Sequence, residues 1–145
     1  MRGSLRVIAT TIVLILAATT AVAQLTVATD ALQYSESDIL TITIHNAGPG
    51  PGHFISYPAY IINHLESGLC VDACVALADV WDMLPGEKIT AWFDLDLFPI
   101  PLGIYRVELT GTSADPGSIL SCDFELIDVL AAGSDSWGSV KALYH

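Results

Sequence analysis

Two cysteines stand three residues apart in Gly68-Leu-Cys-Val-Asp-Ala-Cys-Val75. That spacing serves copper sites, redox pairs and tight disulfide loops. A copper site of this kind also needs an imidazole about four residues past the second cysteine, because soft thiolates alone make a poor site. That position is Ala78, Trp81 follows it, and His45, His53 and His64 all lie upstream. A redox centre wants a helix N-terminus to depress a thiol pKa, and no helical pattern follows Cys74. Structural zinc needs four ligands, and Cys122, the third cysteine, brings no suitably spaced fourth. No metal and no cofactor is therefore expected. A turn at Val71-Asp72-Ala73 can bring Cys70 and Cys74 within disulfide range. Cys122 shares the parity of Phe124 and Leu126, so it points inward and is the alternative partner.

Nothing else assembles into a catalytic set. Asp94-Leu-Asp96 offers two carboxylates to a hard cation such as calcium, but the glycine of a calcium loop is missing. The serines form no Gly-x-Ser-x-Gly elbow, and the histidines read as solvated surface groups. The expectation is no catalytic residue and no enzyme. The aromatics are the better candidates for recognition. Trp81 and Trp92, with Trp137 and Tyr144 near the C-terminus, form a possible interaction surface where they face outward.

The elements that position these residues begin with an address. Arg2 and Arg6 precede an uncharged apolar run from Val7 to Val22, and Ala21-Val22-Ala23 supplies a small-x-small cleavage site. Residues 1–23 thus read as a cleavable signal peptide, and the protein as secreted, periplasmic or cell-surface, where disulfides persist. The run is shorter than the roughly 20 residues of a spanning helix, so no membrane span is expected after its removal. Removal leaves 122 residues with three basic and 16 acidic side chains, a formal charge of −13. So acidic a domain is repelled by nucleic-acid phosphates. The expected partner is a protein, or another copy of the chain in self-assembly.

Residues 24–130 carry a period of two. Leu40, Ile42 and Ile44 alternate with polar neighbours, as do Ile89-Ala91-Phe93, Tyr105-Val107-Leu109 and Cys122-Phe124-Leu126. Leu25–Thr29, Phe54–Asn63 and a less regular stretch near Val75–Val80 complete about seven strands. Asn46-Ala-Gly-Pro-Gly-Pro-Gly52 and Leu84-Pro-Gly-Glu87 are loops. The pattern predicts an all-β, immunoglobulin-like sandwich. Pro101-Leu-Gly-Ile-Tyr105 places a tyrosine at a strand start after a turn, the position of a tyrosine corner. Val107 occupies the place of the second antibody cysteine, so that inter-sheet bond is absent.

Tyr34, Leu40 through Asn46, Leu84-Pro-Gly-Glu87, Trp92-Phe-Asp94, Pro101-x-Gly103-x-Tyr105-x-Val107 and Phe124-Glu-Leu together resemble the immunoglobulin-like domains of the bacterial intracellular proteinase inhibitor (BsuPI) type. The resemblance covers residues 25–128 and implies the sandwich. It also implies one alternative function, proteinase inhibition. After residue 130 a short linker leads to Trp137, Val140 and Tyr144 at helical spacing, with Ser136 as a possible N-cap. Nine residues are too few for a stable isolated helix. The tail either packs on its own sandwich or meets a partner. The functional expectation is an exported, non-catalytic binding or assembly module; a small cysteine-based metal-binding domain is a second alternative. The secreted protein should begin at Gln24, and intact-mass measurement checks this: a mass retaining residues 1–23 contradicts export by this route.

Overall fold

The computed structural model describes residues 21–97, 99–113 and 115–128. Most of the expected signal peptide and the tail beyond Asp128 lie outside these. The described chain is an all-β sandwich of ten strands: β1 (Leu25–Thr29), β2 (Gln33–Tyr34), β3 (Ile39–Asn46), β4 (Gly52–Tyr57), β5 (Tyr60–His64), β6 (Cys70–Asp72), β7 (Leu77–Met83), β8 (Lys88–Asp94), β9 (Gly103–Leu109) and β10 (Ser121–Leu126). One sheet runs β1-β3-β8 and a second β2-β10-β9-β5-β6, while β4 and β7 form a separate two-stranded ribbon. All pairings are antiparallel except β2 with β10. Among the described residues no helix is long and apolar enough to cross a membrane.

The alternation in sequence becomes two packed faces. On β3, Leu40, Ile42 and Ile44 are buried while Thr41, Thr43 and His45 lie on the outer side. Tyr105, Val107 and Leu109 of β9 and Phe124 and Leu126 of β10 bury the facing layer. Each such side chain contributes roughly 1.5–3 kcal/mol when fully buried. Tyr105 stacks on Phe124 with ring centroids 5.2 Å apart. Its hydroxyl donates to the Pro101 carbonyl, closing a tyrosine corner. Burial pushes the Tyr105 phenol up to about 12. Gly103 cannot be replaced at this corner: its φ is +131°, and a Cβ would lie 2.7 Å from His64 Nε2.

Asn46 is buried at the end of β3 and satisfies every side-chain hydrogen-bonding position. Its Nδ2 donates to the carbonyls of Gly50 (2.8 Å) and Met83 (3.0 Å). Its Oδ1 accepts from the amides of Gly48 (3.1 Å) and Gln24 (3.2 Å). Four segments meet at this one amide. Gly48 and Gly50 have no room for a side chain because the backbone of residues 21–24 lies against them. Val22 accepts from Gly50 N–H there, and Ala23 is buried. A chain starting at Gln24 keeps Gln24 N–H to Asn46 and Ala47 N–H to the Gln24 carbonyl.

Three local features depart from the sequence reading. The strand expected over Phe54–Asn63 breaks into β4 and β5 at Tyr57–Pro58, a cis peptide bond. Proline cannot donate to a ladder, so the chain changes sheet there. His64 is not solvated. It is buried, with Nε2–H donating to the Leu102 carbonyl (3.2 Å) and Nδ1 accepting from Ser67 N–H (3.3 Å). His53 lies in β4, not in the glycine loop, and meets Asp82 at 2.6 Å.

Cys70 and Cys74 are joined in a disulfide with Cα atoms 5.8 Å apart, and Cys122 is free. The intervening turn puts Ala73 at φ +55°, a conformation that costs an L-residue roughly 1–2 kcal/mol. Cys122 is half-buried rather than fully buried, packed against the core below Phe124, and burial raises its thiol pKa.

Replacing Asn46 by alanine should orphan several buried groups at once and cost roughly 2–4 kcal/mol. Tyr105→Phe removes one bond and should cost only about 0.5–1.5 kcal/mol. Urea midpoints of the two variants check the order, and equal losses contradict it. Cys70→Ser should leave a folded domain that loses less than the ~3 kcal/mol of a 15-residue loop, with Cys74 as a new, fast-reacting thiol. Cys122→Ser should lose more, because it places a hydroxyl against the core. Native thiol titration and non-reducing peptide mapping decide this; a cross-link containing Cys122 contradicts the pairing.

Candidate interaction surface

The ribbon of β4 and β7 presents one face to the core and the other to solvent. Phe54 is fully buried, and its ring stacks on Trp81 at 4.4 Å with 8° between the planes. Trp81 Nε1–H donates to the Ser56 carbonyl at 3.0 Å. A bulge between Phe54 and Ser56 sets Ser56 opposite Ala78 and Tyr57 opposite Leu77. The extra residue in β7 reverses its parity, so that Leu77 faces outward although it shares the numbering parity of Trp81 and Met83, while β4 keeps its alternation with Ile55 and Tyr57 outward. Ile55 is 65%, Tyr57 59%, Leu77 69% and Val80 81% exposed. Monomeric proteins rarely leave so many adjacent large apolar groups in water without a partner to cover them.

Charge frames this face. Asp79 and Asp82 are exposed on β7, and Asp82 is paired with His53 of β4. The cations of the described domain lie elsewhere. Lys88 begins β8, and Arg106 on β9 holds Asp123 through Nε and Nη2 at 2.7 and 2.8 Å. That pair draws the Asp123 pKa down and the Arg106 pKa up.

The candidate residues from sequence do not converge. Trp81 is not part of an outer patch: it shares the inward parity of Met83, pairs with Phe54 and stacks on its ring. Trp92 does face outward, on β8. Trp137 and Tyr144 lie outside the described residues. Tyr105 holds a corner, and the cysteines hold a loop. The disulfide leaves neither Cys70 nor Cys74 as a thiolate, so the cysteine-based metal reading has no ligands in this form. Asp94 Oδ1 accepts from Asp96 N–H at 3.1 Å, a local turn. Among the described residues no group of three or more His, Cys, Asp or Glu side chains is placed to hold a metal ion.

Ile55, Tyr57, Leu77 and Val80 were not singled out from sequence. A signal was present: His53-Phe-Ile-Ser-Tyr57 carries apolar residues at both parities, although only one face of a ribbon can be buried.

No known sequence family matches the chain, and no curated protein does. Among solved structures it is similar to an alkylpurine DNA glycosylase, AlkC, of Pseudomonas fluorescens, at 14% identity and a TM-score of 0.44, over 74% of this chain and 31% of that one. It is also similar to β-glucosidases from Listeria innocua and Erythrobacter marinus, each at 12% identity and a TM-score of 0.40. The chain spans 31% of the glycosylase and 16% of each glucosidase.

Proposed function

We propose that this is an exported, non-catalytic immunoglobulin-like module that binds a protein through the outer face of the β4–β7 ribbon. The observation that carries this reading is the contiguous exposure of Ile55, Tyr57, Leu77 and Val80. The partner chemistry follows from the frame: an apolar strand or helix face flanked by lysine or arginine, to meet Asp79 and Asp82. A second copy of the same ribbon is a poorer match, because it would bring its own aspartates against them in a chain of net charge −11. The disulfide supports the oxidising compartment that the N-terminal residues suggest.

Leu77→Ser with Val80→Ser should shift folding stability by no more than about 0.5 kcal/mol, since both side chains are solvent-exposed. The same change should abolish capture of a partner by a photo-reactive residue at position 55 in the exporting cell. A reactive residue at Glu108, on β9, serves as the position control. Capture that survives the double change, or that matches the control, overturns the ribbon as the binding face. Capture of the chain itself would favour self-assembly. Inhibition in a protease panel would favour the BsuPI-type reading.

A further inference from the structure

The two layers of the sandwich are unequal. One sheet has three strands, β1-β3-β8, and the other five, β2-β10-β9-β5-β6. They are joined at one side: Val27 N–H donates to the Ile119 carbonyl and Ile119 N–H to the Leu25 carbonyl, which ties β1 to the segment entering β10. At the other side the short sheet stops at β8, and among the described residues no strand runs along its outer edge. A slot of about 120 Å³ opens between the layers at that edge, lined by Ile44, Ala59, Trp81, Ile89 and Ala91 among others. The sandwich is one strand short there.

The backbone of this edge is set to pair. The Glu87 carbonyl accepts from Asn46 N–H and Leu95 N–H donates to the Asp38 carbonyl, with an unbroken register between them. Residues of an antiparallel strand bond alternately to one side and the other. Ile89, Ala91 and Phe93 therefore bond to β3, and the N–H and C=O groups of Lys88, Thr90, Trp92 and Asp94 point to the open side. The side chains alternate too: Ile89, Ala91 and Phe93 turn toward the core, while Lys88, Thr90 and Trp92 are exposed, Trp92 at 71%. Natural sheets cover such an edge or blunt it with charge. Here charge stands only at the two ends, Lys88 and Asp94, and neither belongs to an ion pair among the described residues.

Those charged ends select the occupant. A strand laid antiparallel on β8 sets its first residue opposite Asp94 and its last opposite Lys88, so a basic start and an acidic end match both. Between them, the residues opposite Ile89, Ala91 and Phe93 face the slot and must be apolar, while those opposite Thr90 and Trp92 face water. A second copy's β8 carries the same pattern, but its sandwich does not fit. β1 lies over β10, and the slot joins β8 to the start of β5, so β6 lies beyond the edge of β8 in the facing layer. A second sandwich would have to put its own facing layer into that space; a single extended segment would not. We infer that β8 is the receptor edge for an extended segment of a partner protein, of the pattern basic–apolar–x–apolar–x–apolar–acidic, added as a fourth strand with its apolar residues over the slot.

The probe is the capped peptide Lys-Val-Thr-Val-Thr-Val-Glu, titrated into the full chain as secreted and read by NMR. It should move the amide signals of residues 88–94 saturably and slow exchange of the Lys88, Thr90, Trp92 and Asp94 amides roughly tenfold. The β9 and β10 amides should stay protected, which confirms that the sandwich is folded. Lys88→Glu should weaken binding roughly three- to tenfold by setting like charges opposite, and a peptide ending in lysine should recover it. Leu77→Ser with Val80→Ser should leave binding unchanged, which separates this edge from the ribbon. Absence of a saturable shift in β8 overturns the inference, as do undiminished binding by Lys88→Glu and loss of binding in the ribbon variant. Slow exchange of the four amides without peptide overturns it too. At every concentration that would mean that a segment of the same chain holds the edge, and only at high concentration that a second copy does.

Discussion

The sandwich depends on one buried amide. Asn46 ends β3, yet its side chain reaches the start of β1, the glycine loop before β4 and the end of β7. Its backbone adds bonds to Gly86 and Glu87 in the turn before β8. A buried amide of this kind is stabilising only when all its partners are present, because each unmet group carries its own desolvation cost. Neither the loop of residues 47–51 nor the turn of 84–87 has a ladder to fix its path. Asn46 supplies the fixed point, and the position of β7 relative to β3 follows from it. The Asp30–Tyr34 pair does similar work at the opposite end. The Tyr34 hydroxyl and the Thr41 amide hold the Asp30 carboxyl below its usual pKa, and together they tie β2 to β3.

From that anchoring the ribbon's exposure becomes intelligible. Met83, at the end of β7, is buried and held through its carbonyl by Asn46. At the other end the chain arrives from Cys74, stapled to Cys70 of β6. Between these two fixed points β7 pairs with β4, which has already departed from the five-stranded sheet at Pro58. Trp81 fills the inner side, so apolar residues at the other parity have nowhere to go but outward. The disulfide therefore positions the exposed face of the ribbon more than it supports the core. It is a local constraint on the approach to β7, in keeping with the small loop that it closes.

How much of this was legible in the sequence depended on whether one face or two carried the apolar residues. The clean alternations in β3, β8, β9 and β10 gave strand, face and core together, because burial on one side leaves only one register open. Tyr105 was legible because a Pro-x-Gly-x-Tyr turn allows few other geometries. The Cys70–Cys74 pair followed from a spacing that only a turn can close. Phe54–Asn63 and Val75–Met83 were not legible in the same way. Both hold apolar residues at both parities, and local pattern cannot say which parity the core takes or where a bulge reverses it. His64 was missed for a related reason. Its burial depends on Leu102 and Tyr105, some forty residues away, and no local rule announces that contact.

The acidic surface links these features to the proposed binding role. With Arg106 committed to Asp123, the described domain has little positive charge to offer, and its carboxylates are spread over both sheets. Scattered like charge keeps apolar surface from self-adhesion at distances up to the screening length, about 8 Å at physiological salt. A domain can then carry an exposed Ile55–Tyr57–Leu77–Val80 face and still resist pairing with its own kind. Under the proposed binding role it would remain open to a partner of opposite charge, whose approach the same field would accelerate. The selectivity of such a face lies in this frame of charge, because apolar contact alone would accept any hydrophobic surface. In the proposed binding role, Asp79 and Asp82 would be as much a part of the surface as the four side chains that they border.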